Sequence, residues 1–328
     1  MFIAEKLKTS AKLHGYRWMH NRCIHSGLNV PRNTIYQILR LLDPDGVSSR
    51  KRNRLRKRQY ISKGLNYVWH VGGYAKLKPY GIAIHGCIDG FSRNIIWLEA
   101  NTTNNDPKVI ASYFIDSVTR KNGCPQRIRA DMGTENRFIE QMQIFLRRNH
   151  GDELSGNKSF MYGNSTHNQR IEWFWGCLRK EMGQYWMDSF QELARDYGTT
   201  SFSGDFLDKS LIKFCFMELQ RYLDALAATW NTHGIASKTN LTRGGNRPLM
   251  MYTLPELYNV DDRLCPVDKD EIEVCSEETL PKVGLPCDET VKSLCKIIME
   301  ESRLQTPDTI QEEIQLYLHL RGNILSQL

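Results

Sequence analysis

Short β-rich runs and longer helical patterns alternate through the middle of the chain. Three runs rich in aliphatic, aromatic and β-branched residues, at 67–71, 81–88 and 95–100, are separated by turn residues and predict a three-stranded meander. The apolar spacings that follow predict a helix at 104–121, a strand at 126–130, a helix at 134–148, a short strand at 159–162 and a long helix from 168. This order predicts an α/β fold in which a mixed five-stranded sheet is flanked by helices.

The residues before the sheet predict a small all-helical head. A first helix ends at Ser26-Gly27, and a second begins at about Pro31 and ends at Asp43–Gly46. Two helices joined by a turn that contains glycine are typical of a helix-turn-helix, although an ordinary helical hairpin has the same shape. In a helix-turn-helix the second helix would present its polar face to a DNA groove. The residues of that face are Arg32, Asn33, Tyr36, Gln37 and Arg40.

The chain after the sheet predicts further helices. Residues 207–231 have the pattern of one buried helix, and 235–248 form a polar, glycine-rich connection. Two more helices are expected at 289–303 and 308–320. We therefore expect a head with a basic linker at 1–60, an α/β core at 61–235 and an acidic, helical C-terminal region at 236–328.

Charge is distributed unevenly along the chain. The net charge is +7, but residues 1–60 carry +11, residues 61–260 carry +4 and residues 261–328 carry −8. A strongly basic head on a nearly neutral body indicates a polyanionic partner that is engaged first through the head. The acidic C-terminal region argues against nucleic acid that wraps the whole chain.

A dense basic run follows the predicted head. Seven of the nine residues at 50–58 are cationic, which is too repulsive for a core, so the run is a solvated tether, a phosphate-binding arm or a nuclear-import signal. Its position beside the predicted helix-turn-helix favours DNA contact. The cationic residues are Arg50, Lys51, Arg52, Arg54, Arg56, Lys57 and Arg58.

Composition indicates a globular protein. Hydrophobic residues make up 41% and charged residues 25% of the chain, which excludes a disordered protein. No apolar run approaches the roughly 20 residues that span a bilayer, so no membrane partner is expected, and the N-terminus is too basic and interrupted for a secretory signal. Nine cysteines, an odd number, indicate free thiols in a reducing compartment.

Two carboxylates lie where a metal site could form. Asp131 ends a predicted strand, and Glu172 lies near the start of a predicted helix about forty residues later. Such a pair can converge across a sheet to hold divalent metals, which stabilise the attacking and leaving oxygens of a phosphodiester. Arg179, seven residues on and on the same helical face, could contact a DNA phosphate. The alternatives are a turn-forming Asp and a surface Glu.

Several ordered motifs resemble a known family. The sequence from 69 to 231, about half the chain, is similar to the catalytic core of retroviral and transposon integrases. More narrowly, it resembles integrase core domain proteins of eukaryotic genomes that derive from transposable elements. The matching segments are Trp69-His70, Lys76–Gly81, Ile84–Arg93, Asn104–Val109, Asp131–Asn136 and His167–Glu172.

This resemblance implies a ribonuclease-H-like fold and an Asp-Asp-Glu site that binds two Mg²⁺ or Mn²⁺ ions. The second Asp falls on Asp131 and the Glu on Glu172, but the first falls on Gly72, and a further carboxylate frequent in the family falls on Ala75. Asp89 is the nearest carboxylate in sequence, but the predicted strand order places it at a far turn. The resemblance therefore implies weakened metal binding. DNA as a partner, a homo-oligomer and a nuclear location are also expected.

Three functions remain open on these grounds. The chain is an active DNA integrase that uses a different first carboxylate, a catalytically degenerate descendant that still binds DNA, or an interaction module without DNA binding. Gly72 favours the second, and the basic head disfavours the third. A retroviral-type zinc module is not expected, because the head has three histidines but only Cys23. The later cysteines at 265, 275, 287 and 295 are expected to be core thiols.

Overall fold

A five-stranded mixed sheet lies at the centre of the computed structural model. The structure describes residues 1–9, 15–50, 62–163, 167–196, 204–216, 219–235, 247–280, 287–307 and 309–327. Within these, the strands are β1 (Val68–Tyr74), β2 (Ala83–Asp89), β3 (Ile95–Asn101), β4 (Gly123–Cys124), β5 (Arg127–Ala130), β6 (Phe160–Tyr162) and β7 (Cys265–Pro266).

The strand order of the main sheet is β3-β2-β1-β5-β6. β1, β2 and β3 are antiparallel neighbours and form the predicted meander, whereas β5 runs parallel to β1 and β6 parallel to β5. A separate two-stranded ribbon joins β4 to β7. The ribonuclease-H-like, mixed five-stranded sheet with flanking helices is therefore confirmed, and helical regions precede and follow it.

Fourteen α-helices surround this sheet in the described part of the chain. They are α1 (Phe2–Lys6), α2 (Tyr16–His25), α3 (Arg32–Leu42), α4 (Pro44–Arg50), α5 (Pro107–Lys121), α6 (Arg137–Leu146), α7 (Gln169–Leu178), α8 (Gln184–Asp196), α9 (Phe206–Cys215), α10 (Leu219–Thr232), α11 (Pro248–Thr253), α12 (Lys269–Glu277), α13 (Glu289–Glu301) and α14 (Ile310–Gln327). A single π-helical turn, Arg179–Gly183, joins α7 to α8.

Two sequence expectations about helix ends are corrected. The single helix expected at 207–231 is wrong, because α9 and α10 are separate helices. The backbone leaves helical geometry at Phe216, whose buried ring packs 5.0 Å from the ring of Phe190. This tertiary contact outweighs the local helical pattern. At the other end of the chain, α3 ends before Asp43 as expected, but Pro44 begins α4 rather than a turn.

The head packs against the core through aromatic contacts. The ring of Trp18, on α2, lies 6.4 Å from Trp230 and 5.2 Å from His233 at the end of α10. The Asn21 amide of the same helix donates to the carbonyl of Thr229 at 3.4 Å. Trp18 belongs to the large core cluster on one face of the sheet and so anchors the head to it. The other buried side chains of the head form a small cluster of their own, which consists of Ile3, Met19, Cys23, Ile35 and Leu39.

The C-terminal helices also contribute to the core on both faces of the sheet. Val291, Tyr317 and Leu320 of α13 and α14 lie in the same cluster as α7, and Ile272 of α12 lies in the cluster on the opposite face. None of the helices that the structure describes is both long and apolar enough to cross a membrane.

A buried ion pair connects α14 to α9. The Arg321 Nε donates to Asp208 Oδ1 at 2.6 Å, and the Tyr317 hydroxyl donates to the same oxygen at 2.9 Å. Asp208 is fully buried and Arg321 is 5% exposed. Two charges removed from water stabilise a fold only while both are present, since one charge left alone is strongly unfavourable.

We predict that Arg321→Met lowers the free energy of unfolding by about 3–5 kcal/mol, because Asp208 would keep a buried charge without its cation. Urea unfolding followed by circular dichroism measures this. The matched control is Lys292→Met, which breaks an exposed pair with Glu289 and should cost at most about 1 kcal/mol. The double variant Asp208→Leu with Arg321→Met should recover much of the loss. Equal small losses in both single variants would contradict the role given to Arg321.

Candidate active site

The side chain of Asn168 fixes the start of α7 against the middle of β1. Its Nδ2 donates to the carbonyl of Val71 at 2.7 Å, and its Oδ1 lies 2.7 Å from Nδ1 of His70. The Asn168 carbonyl accepts the backbone N–H of Glu172 at 3.2 Å, which is the first helical hydrogen bond of that turn. Asn168 therefore sets where Glu172 lies relative to the sheet.

These contacts also define the protonation of His70. Because the Asn168 amide nitrogen donates to Val71, its oxygen is the acceptor, and Nδ1 of His70 must carry the proton. Burial lowers the pKa of His70 to about 3, against the opposing effect of the Asn168 hydrogen bond. The nearby positive charges of Arg129 and Arg170 lower it further. The imidazole is thus a neutral structural group at physiological pH.

Gly72 is the residue at which the sequence resemblance predicts a first carboxylate. It pairs with Gly86 across β1 and β2, and extending the parallel register His70–Arg129 by two residues brings Gly72 level with Asp131. A Cβ added to Gly72 would lie 3.3 Å from Cγ2 of Ile171, on the helix that carries Glu172. Position 72 therefore faces α7, the helix that carries Glu172.

The indole of Trp175 occupies the space above this position. Its Nε1 would lie 3.6 Å from a Cβ at Gly72, and its Cη2 only 2.9 Å from a Cβ at Gly86. The ring is buried beside Tyr74, with centroids 5.7 Å apart, and Nε1 has no hydrogen-bond partner. Two adjacent glycines thus make room for an indole. Sequence analysis missed this, because the pairing of Gly72 with Gly86 follows from the strand register.

Asp131 and Glu172 influence each other electrostatically. Asp131 follows β5 and its Oδ1 accepts the Asn136 amide at 3.0 Å. Glu172 lies in the first turn of α7, as the sequence predicts, and burial raises its pKa, with a further increase from the negative charge of Asp131. The two carboxylates therefore repel each other, which is the condition that a bound cation relieves.

Glu135 is a third acidic residue beside this pair, and sequence analysis did not single it out. Burial raises the pKa of Glu135, the charge of Asp131 raises it further, and Lys78 opposes both. Its carboxylate folds over Gly133, where it fills the space that a Cβ would occupy. Among the residues that the structure describes, however, no three acidic, histidine or cysteine side chains are grouped so as to hold a metal ion.

Asp89 and Ala75, the other two positions weighed for the missing carboxylate, do not take its place. Asp89 pairs with Trp69, three residues along β1 from Gly72. Its carboxylate accepts three backbone N–H groups at 2.7–3.0 Å and the Ser92 hydroxyl at 2.8 Å. Burial raises the pKa of Asp89 to about 6 despite these bonds. Asp89 is a turn-forming residue, and Ala75 offers no oxygen ligand.

Arg179 lies at the junction of α7 with the π-helical turn. It is exposed, and its Nε donates to Oε1 of Gln184 at 3.0 Å. Its positive charge lowers the pKa of the Tyr74 hydroxyl, against the larger, opposite effect of burial. Arg179 is therefore close to the end of β1 and open to solvent, as a contact with DNA phosphate would require.

The polar face expected on the second head helix is largely exposed. Arg32, Gln37 and Arg40 of α3 are open to solvent. Tyr36 is instead half-buried, because its ring packs edge-on against Tyr16 at 5.5 Å and beneath the Arg40 guanidinium at 5.9 Å. The outward orientation expected for Tyr36 is thus only partly correct.

The basic run lies almost wholly outside the described residues. The structure describes the backbone of Arg50 in α4, but not its side chain, and nothing of Lys51, Arg52, Arg54, Arg56, Lys57 and Arg58. Their role in DNA binding therefore stays a prediction. The four later cysteines, at 265, 275, 287 and 295, are buried free thiols, as expected.

The comparisons with known proteins identify one family. A family model described as integrase core domain matches residues 60–259, which is more than half the chain. The matched range contains Gly72, Asp131 and Glu172, and it extends beyond the core range expected from the sequence. No curated protein matches the chain.

We predict that His70 makes the fold sensitive to acid. A histidine whose pKa falls from 6.5 to about 3 on folding contributes stability above pH 6.5, and this contribution is lost as the pH falls towards 3. His70→Leu should therefore reduce the slope of unfolding free energy in this range by up to about 1.4 kcal/mol per pH unit. Urea unfolding at several pH values measures the slope.

Val291→Ala, at a buried residue without a titratable side chain, provides the control, since it should leave that slope unchanged. His85, whose pKa burial also lowers to about 3, keeps its own contribution in both variants. An unaltered slope in His70→Leu would show that His70 is not held neutral by the fold.

Proposed function

The chain belongs to the integrase core domain family, and on that basis we propose that it is a DNA-binding, integrase-like protein whose catalytic site is degenerate. The chemistry of the class is phosphodiester transfer assisted by two divalent metal ions. The observation that carries the proposal is Gly72, which faces α7 level with Asp131 but has no carboxylate.

The loss matters because the first carboxylate of such a site serves both ions. Mg²⁺ and Mn²⁺ need oxygen ligands. Without a first carboxylate, only Asp131 and Glu172 are left to supply them, and these two negative charges repel each other when no ion is bound. The indole of Trp175 covers Gly72 and presents an N–H, which is a donor and therefore repels a cation. The residues present do not fit a two-metal centre, so the proposal includes weak metal binding and no chemical step.

DNA remains the proposed partner. Exposed Arg32, Gln37 and Arg40 on α3 and the adjacent basic run support a duplex held by the head. The proposal also includes a nuclear location and a homo-oligomer, both of which are expectations from the sequence. The contacts of α2 with α10 support DNA held in a fixed relation to the core.

One specific observation favours a second candidate, an active integrase with a relocated carboxylate. Glu135 lies close enough to Asp131 for the charge of Asp131 to raise the pKa of Glu135. Glu135 could then supply the oxygen that Gly72 lacks, if the Gly133 segment moved. The two candidates differ in whether the unaltered chain transfers DNA strands, and in whether Glu135→Gln abolishes that transfer.

We predict that Gly72→Asp raises the affinity for Mn²⁺ at least tenfold, because it restores the missing carboxylate. Isothermal calorimetry measures the affinity, and strand-transfer product on a gel measures activity. The Cβ contact of 3.3 Å with Ile171 makes Ile171→Val a useful second change, since it removes a methyl group from the crowded side.

Gly72→Asn is the matched control, because it has the same shape without the charge and should not raise Mn²⁺ affinity. Glu172→Gln should abolish the gain in Gly72→Asp. Robust strand transfer by the unaltered chain, lost in Glu135→Gln, would overturn degeneracy and establish the second candidate.

We also predict that the full chain binds duplex DNA with an affinity that falls steeply as salt rises, because several phosphates are neutralised. Deleting residues 50–58 should weaken binding to all sequences, whereas Gln37→Ala should change the preference among them. Fluorescence anisotropy at several salt concentrations measures both. Lys292→Ala, on the distant α13, is the control and should change neither. Binding that is absent or insensitive to salt would contradict DNA as the partner.

A further inference from the structure

A cavity of about 120 Å³ lies where the head meets the core and the C-terminal region. Its walls come from the segment around α1, from α2, from the π-helical turn, from α8 and α10, and from the start of α14. Seven of its side chains carry polar or charged groups, and four of these have a charge or an N–H group. They are Lys6, Arg22, Glu181 and Trp186.

Three of these side chains bring N–H groups that the described chain does not satisfy. Trp186 is 1% exposed and its Nε1 has no hydrogen-bond partner. The backbone carbonyl of Arg22 accepts the N–H of Ser26, but its guanidinium lines the cavity without a hydrogen bond to any residue that the structure describes. The Lys6 ammonium lies 5.4 Å from the ring of Phe2. Lys6 and Arg22 are partly exposed, whereas the indole N–H of Trp186 is buried without an acceptor, which is unfavourable, so the cavity requires an acceptor beside Trp186.

The charges on the described residues that line the cavity leave it positive. Lys6 and Arg22 contribute two positive charges and Glu181 one negative charge. Burial lowers the pKa of Arg22, and the attraction of Glu181 only partly offsets this effect. Both observations favour an anion as the missing group, since an anion would supply the charge as well as the acceptors.

The size of the cavity restricts that anion. A water molecule takes roughly 30 Å³, so the cavity holds about four waters or one small oxyanion. A tetrahedral oxyanion directs oxygens outward in four directions and can accept from several walls at once, while a protonated oxygen can donate to Glu181. A monatomic anion could contact fewer of the three donors.

We propose that this cavity is a binding site for a tetrahedral phosphate group, held by Lys6, Arg22 and Trp186. The bound group would join the head to the π-helical turn and to the C-terminal region. The site is separate from Asp131 and Glu172 and does not depend on the function proposed above. Free inorganic phosphate and the terminal phosphate of a nucleic acid share the required chemistry.

The indole N–H signals of the full chain provide a direct test. The chain has seven tryptophans, and Trp186→Phe identifies the signal of Trp186 in a nitrogen-15 spectrum by its loss. Inorganic phosphate should shift that signal in a saturable way. Arg22→Gln should weaken the response at least tenfold, and Arg40→Gln, which changes an exposed arginine of α3, should leave it unchanged.

Two further titrations separate the sources of phosphate. A trinucleotide with a 5′-phosphate is compared with the same trinucleotide without it, and a shift of the Trp186 signal by the phosphorylated form alone would indicate a nucleic-acid end. A response to inorganic phosphate but not to the trinucleotide would indicate the free anion. No shift of the Trp186 signal with either ligand, or an equal response in Arg22→Gln, would overturn the proposal.

Discussion

The hydrogen bonds of Asn168 hold together the two elements on which the candidate active site depends. Its amide fills the gap between the carbonyl of Val71 and the imidazole of His70, both within β1, while its backbone begins the ladder of α7. The Asn168 amide, the Val71 carbonyl and the His70 imidazole are all buried. Each therefore needs its hydrogen-bond partner, and leaving one unsatisfied would lower the free energy of unfolding by about 1–3 kcal/mol. The position of Glu172 relative to Asp131 and Gly72 follows from this constraint.

Much of the fold could be predicted because the sequence pattern is locally consistent. The apolar runs of buried strands such as β2, bounded by turn residues, predict the meander. The same patterns correctly place Asp131 at the end of a strand and Glu172 near the start of a helix. What failed was decided by long-range contacts. At Phe216, where α9 ends, the ring packs against Phe190 of another helix, a contact that leaves no signal in the local pattern.

The details of the site were harder to predict, for the same physical reason. The family resemblance indicates that position 72 lacks a carboxylate, but not that Trp175 fills the space, because that depends on how Gly72 and Gly86 pair across two strands. The proximity of Glu135 to Asp131 depends on how the segment after β5 folds back. The ion pair of Asp208 and Arg321 joins residues more than a hundred positions apart, beyond the reach of any pattern.

The π-helical turn at Arg179–Gly183 determines which face of α8 lies against the core. In α7 the buried side chains recur with helical spacing, and in α8 Trp186, Phe190 and Leu193 are also buried against the same core. A continuous α-helix would rotate the second set about 100° away from the first, because each extra residue advances the helix by that angle. The π-helical turn absorbs one residue and brings the two stripes back into register. Removing one residue from this turn would therefore leave a regular α-helix in which Trp186 still faces the core, so the turn amounts to a one-residue insertion that the helix accommodates without a change of face.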